Sequence, residues 1–144
     1  KSEIRNQKSE IRNQKSEMAV NSIKELVVYQ KSYRLAMEFY ELSKNFPAEE
    51  RYAMTSQGRR SSRSVSMNLR EAWAKRRYEA HFISKLTDCD GENSETDTTL
   101  DFARDCGYIT EEKHKELTDL NREIGKMLGA MLNSPQKFLL TPDA

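Results

Sequence analysis

Apolar residues recur at intervals of three and four along most of this chain, the spacing that gathers them on one side of an α-helix. Ile23, Leu26, Val27, Tyr33, Met37 and Tyr40 predict a first helix from Asn21 to about Asn45, capped by Asn21 or Ser22. Phe46 and Pro47 end it, because proline disfavours helical geometry in the residue before it and opens a following helix well. A second helix is predicted from about Ala48 to Ala74, with Glu49 and Glu50 facing the positive end of its dipole. Its inner stripe, Met54, Gly58, Ser61, Val65, Leu69 and Ala72, is unusually small. Such residues offer little transfer free energy, so their value lies in letting a neighbouring element approach closely. A third helix from about Tyr78 to Asp105 carries Phe82, Leu86, Cys89, Asn93, Thr96, Leu100 and Ala103, a seam with a polar middle. Gly107 has the position of a helix-closing left-handed residue, and Thr110 with Glu112 that of the cap opening a fourth helix. Leu117, Leu120, Ile124, Met127 and Met131 carry that helix to about Asn133, and Pro135 to Ala144 reads as a loose tail. Four helices joined by short turns predict an all-α fold, an antiparallel up-down four-helix bundle spanning residues 18–134.

The first residues stand outside this pattern. KSEIRNQ is repeated and followed by KSE, with Ile4 and Ile11 as the only apolar members, too few to bury a core. A perfect short repeat also arises from a tandem DNA repeat translated in frame, so residues 1–17 are set apart as an extension ahead of Met18.

Length and composition agree with a single helical domain: 144 residues, 36% apolar and 33% charged, with 5 glycines and 3 prolines. No run of about 18 apolar residues and no charged-then-apolar leader is present, so the expected location is the cytoplasm and no membrane partner is expected. Cys89 and Cys106 lie too far apart for a CxxC motif, and both are expected as small core thiols.

The formal net charge of +1 conceals a segregation. Between Arg51 and Arg77 eight basic residues face one acid, Glu71; between Tyr78 and Asp105 eight acids face two basic residues, Lys85 and Arg104. Either the two helices neutralise each other, or a basic face is left for an anionic partner. The nucleic-acid-binding candidates are Arg59, Arg60, Arg63, Arg70, Lys75, Arg76 and Arg77. At 3.6 residues per turn Arg59, Arg63 and Arg70 share one side of the helix, with Arg60 adjacent. RNA or DNA is the expected partner class, and no small-molecule substrate is expected.

Cofactor chemistry finds little support. Asp88, Asp90 and Glu92 surround Gly91, but an EF-hand needs its glycine sixth and a glutamate twelfth, where this chain has Thr99. Glu111 and His114 form one ExxH, and di-iron bundles need two. No cofactor or metal is expected. Arg76 or Arg77 followed by His81 resembles the Arg-x4-His signature of the HEPN ribonucleases, which implies an alternative in which Arg76 and His81 act on an RNA phosphodiester.

FPAEERYAMTSQ at 46–57, RSVSMNLREAWAKRRYEAHF at 63–82 and LDFARDCGYIT at 100–110 together resemble a bacterial family. It is that of the four-helix bundle proteins encoded in 23S rRNA intervening sequences, similar to the accessory variability determinant proteins of diversity-generating retroelements. The resemblance covers roughly residues 22–132 and rests most on Phe46-Pro47 before Glu50, Gln57, Ser64-Val65, Asn68 and Glu71. It implies a homo-oligomer, a pentamer in the family, with a basic surface for nucleic acid or a reverse transcriptase and no catalytic site. This chain departs from the family at Ser66, Arg70, Ala72 and Thr99, where proline, alanine, glycine and tryptophan are usual. A purely structural assembly protein with matched charges is the remaining alternative.

Overall fold

One extended residue, Leu26 (φ −76°, ψ 135°), divides the start of the chain into a 3-10 turn, Ile23–Glu25, and a helix α1, Val27–Ser43. The structure, a computed structural model, describes residues 22–140. The repeat at 1–17 and the alternative cap Asn21 therefore lie outside the described residues. The Ser22 hydroxyl accepts from the Lys24 amide and caps the 3-10 turn rather than α1.

The buried face of α1 is Val28, Ser32, Leu35, Ala36, Phe39 and Ser43. This corrects the predicted stripe: Val27, Tyr33 and Met37 are 45%, 55% and 45% exposed. Two serines hold core positions, which hid the true phase of the helix. Ser32 is tolerated there because its hydroxyl donates to the Tyr29 carbonyl (2.8 Å) and pairs with the Ser66 hydroxyl (2.9 Å).

The second helical stretch has three parts: a 3-10 turn at Ala48–Glu50, a π-helical turn at Arg51–Thr55, and helix α2, Ser56–Ala74. From Gly58 to Ala72 its inner face follows the predicted small stripe, with Ser62, Ser66 and, at the helix end, the large Trp73 also buried and Met54 only half-buried. At Gly58 the neighbour admitted is the ring of Phe39, whose Cζ would stand 2.1 Å from an added Cβ.

Helix α3, Glu79–Asp105, buries all seven residues of its predicted seam. It closes on Gly107 at φ 77°, with the Gly107 amide bonded to the Arg104 carbonyl (2.9 Å) and Tyr108 to that of Ala103 (2.8 Å). Thr110 caps helix α4, Glu111–Asn133, accepting from the Lys113 amide at 3.0 Å. The polar middle of α3 is satisfied by partners. Asn93 donates to the Asn121 carbonyl (3.0 Å) and Asn121 donates back to the Asn93 carbonyl (2.9 Å) and side chain (3.0 Å). Thr96 donates to Ser61 Oγ at 3.0 Å.

Paired residues descend on one helix as they rise on the next: Ser61 with Thr96 and Glu71 with Lys85 between α2 and α3, Asn93 with Asn121 and Asp101 with His114 between α3 and α4. Ser32 with Ser66 and Ser43 with Arg59 set α1 against α2 in the same sense, and Lys31 with Glu123 ties α1 to α4. The result is an all-helical bundle of four α-helices, with no strand among the described residues.

Two further expectations are corrected. Residues 135–140 are not loose: Pro135–Lys137 turns, Phe138 is buried against Phe82 with ring centres 6.3 Å apart, and the Leu140 amide donates to the Arg76 carbonyl. A buried aromatic supplies apolar area that outweighs the ordering of a short segment. Cys89 is a core thiol, donating to the Val65 carbonyl at 3.6 Å, but Cys106 sits at the exposed cap of α3. No helix among the described residues is long and apolar enough to cross a membrane.

Candidate functional site

The seven candidate basic residues separate into three groups. Arg59, Arg63 and Arg70 share one side of α2, and that side is the edge that meets α1. The Arg59 guanidinium lies over the Tyr40 ring (4.7 Å to its centre) and its Nε donates to Ser43 Oγ at 2.8 Å. Arg63 approaches the same ring at 5.6 Å, and Lys44 does so at 4.8 Å. Three cations gather around one phenol ring because its π face is negative. Arg70 is exposed farther along this edge, beside a groove of about 480 Å³ whose apolar walls are Tyr29, Tyr33, Met37 and Met67.

Arg60, about 100° round the helix, turns instead to α3. Its Nη1 meets Glu92 at 3.2 Å and its Nη2 meets Glu95 at 2.8 Å. Hydrogen bonds to Glu92 and then Glu95 raise its pKa above the usual arginine value. Lys85 and Glu71 form a second α3–α2 pair at 2.7 Å. Neutralisation between these helices, one of the two alternatives, is thus local, and Arg60 is the only one of the seven candidates ion-paired among the described residues.

Lys75, Arg76 and Arg77 lie at the far end of α2, roughly 18 Å along the axis from Arg63 at 1.5 Å per residue. Lys75 and Arg77 are exposed. Arg76 is half-buried: its guanidinium lies 3.6 Å from the centre of the Trp73 ring and its Nε donates to the Trp73 carbonyl at 2.8 Å. Burial lowers its pKa. His81 is exposed, its ring edge-on to Tyr78.

Sequence reasoning missed the aromatic part of this surface. Tyr40 was assigned to the core and instead braces Arg59 and Arg63. Tyr52, which belongs to no predicted stripe, lines a basic cleft of about 530 Å³ with Arg51, Arg59, Arg63 and Met67. An apolar position that fits a stripe by spacing but carries a hydroxyl was the available signal for Tyr40.

Residues 24–130 match the model of the family described as 23S rRNA-intervening sequence protein. The chain belongs to this family. A similar solved structure is a protein of unknown function from the S23 ribosomal protein family of Bacteroides thetaiotaomicron, 31% identical, with a TM-score of 0.68. The similarity covers 74% of this chain and 96% of that one. The search of curated proteins finds no match. For the 23S rRNA-intervening sequence proteins the matched span includes all four helices except the last three residues of α4, and therefore the whole Arg59–Arg70 edge. Two departures of this chain from the family pattern find a place in it. Ser66, where the resemblance implied proline, bonds Ser32, and Arg70 is exposed, so a long side chain there meets no packing penalty.

Proposed function

We propose that this chain is an up-and-down four-helix protomer of a homo-oligomer that binds nucleic acid, RNA first, through the Arg59, Arg63 and Arg70 edge, without catalysis. The observation that carries the reading is that these arginines form a row on α2 without an acidic partner among the described residues, two of them held against Tyr40. A preorganised row of guanidiniums displaces counterions from phosphates with little loss of side-chain entropy on binding. The adjoining groove walled by Tyr29, Tyr33 and Met37 supports self-association, because an exposed apolar strip beside a charged one suits an interface with a polar rim. The ribonuclease alternative gains less support, since Arg76 is committed to Trp73.

The test is anisotropy of a labelled RNA hairpin between 50 and 200 mM salt. Affinity should fall steeply with salt, and each arginine replaced by alanine should lower the slope of log K against log salt by about one. Unaltered binding in an Arg59→Ala, Arg63→Ala, Arg70→Ala triple variant would remove this reading, as would RNA cleavage that disappears in His81→Ala.

A further inference from the structure

Tyr52 is 85% exposed, more than any other large hydrophobic residue described, and it stands in the basic cleft with Arg51, Arg59, Arg63 and Met67. It belongs to the π-helical turn Arg51–Thr55, which interrupts the helical stretch immediately before α2. Such turns are uncommon and concentrate at functional positions. The Arg51 guanidinium lies 5.5 Å from the Tyr52 ring centre, and Met67, 64% exposed, adds a second uncovered apolar group. A flat aromatic face left in water among cations has the chemistry of a base-stacking platform: guanidiniums take phosphates and the ring takes a nucleobase.

We infer that this cleft selects single-stranded over double-stranded nucleic acid, with an unpaired base stacked on Tyr52 and the flanking phosphates on Arg59 and Arg63. The inference rests on the nucleic-acid reading above and adds the class of strand. Duplexes keep their bases stacked on one another and offer the protein only backbone and groove edges. Charge alone favours the duplex, whose charge density is higher, so a preference for single strands identifies the stacking contribution.

The experiment compares, at one salt concentration, a labelled single-stranded RNA of about 12 nucleotides with its duplex. The wild-type protein should bind the single strand more tightly. Tyr52→Ala should weaken single-strand binding about five- to 150-fold, the equivalent of one base stack, and leave duplex binding unchanged. Tyr52→Trp should preserve it. Arg59→Ala with Arg63→Ala should weaken both ligands. If the arginine variants lose affinity and Tyr52→Ala does not, the stacking inference falls while the basic-surface reading stands. If no variant changes either affinity, both fall. If Tyr52→Ala alters the mass in solution measured by light scattering, the ring is a subunit contact and the inference is overturned.

Discussion

Replacing Gly58 by alanine would set a methyl carbon 2.1 Å from Phe39 Cζ and 2.4 Å from Cε1. Carbon atoms rest at about 3.5–4.0 Å, so the ring would have to withdraw by roughly 1.4 Å or more. It has no room to do so: Phe39 is fully buried and stands edge-on to Phe46 at 5.8 Å, which in turn lies 5.4 Å from Tyr108. Overpacking of this kind costs about 1–3 kcal/mol, and a clash this short belongs at the upper end. Alanine returns about 1 kcal/mol through its better helix propensity. The expected net destabilisation is therefore about 2 kcal/mol, a fall in Tm of roughly 6–10 °C, measured by thermal or urea unfolding followed by circular dichroism. Gly91→Ala is the control, because an added Cβ there meets nothing within 4 Å. It should stabilise by up to about 1 kcal/mol. The two variants should thus move in opposite directions, and Gly58→Ala combined with Phe39→Leu should lose less than the sum of the single changes. A Gly58→Ala protein as stable as wild type, or more so, refutes the packing argument.

Three further outcomes follow from the structure. Asn121→Ala removes the donor to the Asn93 side-chain and main-chain carbonyls, leaving the buried Asn93 Oδ1 unpaired while Asn93 keeps its bond to the Asn121 main-chain carbonyl, and should cost about 1–3 kcal/mol, whereas replacing both asparagines by leucine should cost less than either single change, by urea unfolding. Under native conditions at neutral pH iodoacetamide should label Cys106 and spare Cys89, whose thiol burial pushes up to about 12; equal labelling of both, read by mass spectrometry, contradicts the assigned burial. Phe138→Ala should destabilise by about 3 kcal/mol, because the ring fills a site against Phe82, and an unchanged unfolding midpoint would mean that residues 135–140 do not dock as described.

The helices whose inner faces follow one unbroken spacing were readable from sequence, polar members included, and α1, where two spacings compete, was not. Phe82 to Ala103 alternates four and three without a break, so α3 emerged complete, polar centre included. Gly107 and Thr110 announced the α3–α4 connection because a left-handed backbone and a side-chain cap each demand particular residues. In α1 the true stripe of Val28, Leu35, Ala36 and Phe39 is interrupted by Ser32 and Ser43, and Tyr33, Met37 and Tyr40 offer a second, competing spacing. The bond between Ser32 and Ser66 that makes a serine acceptable in the core joins two helices and is not visible in the spacing of either. Phe138 was lost behind Pro135, since a lone aromatic after a helix end carries no periodicity. At the candidate site the Arg59, Arg63 and Arg70 row is a matter of helical angle and was legible. The fate of Arg76 was not, because folding back onto Trp73 depends on the geometry of the helix end.

The basic edge of α2 stays uncompensated for a reason that lies in α1. Two helices that carry opposite charge along their sequences neutralise each other only where their facing edges coincide, and α2 presents just Arg60 and Glu71 to the charged groups of α3. Its other edge faces α1, whose acids are engaged elsewhere: Glu38 meets Arg34 at 3.4 Å and Lys113 at 3.7 Å, and Glu41 meets Lys44 at 3.2 Å. What α1 offers Arg59 and Arg63 is a neutral ring and a hydroxyl, Tyr40 and Ser43. These orient the guanidiniums without cancelling their charge. A carboxylate at position 40, which both arginines approach, would cancel that charge. Tyr40→Glu is accordingly the substitution that separates the two purposes of the edge. It should leave unfolding within about 1 kcal/mol of wild type, since exposed ion pairs contribute little, while removing most of the salt-dependent binding to RNA. If RNA affinity survives that change, the row of arginines is not the surface that phosphate meets.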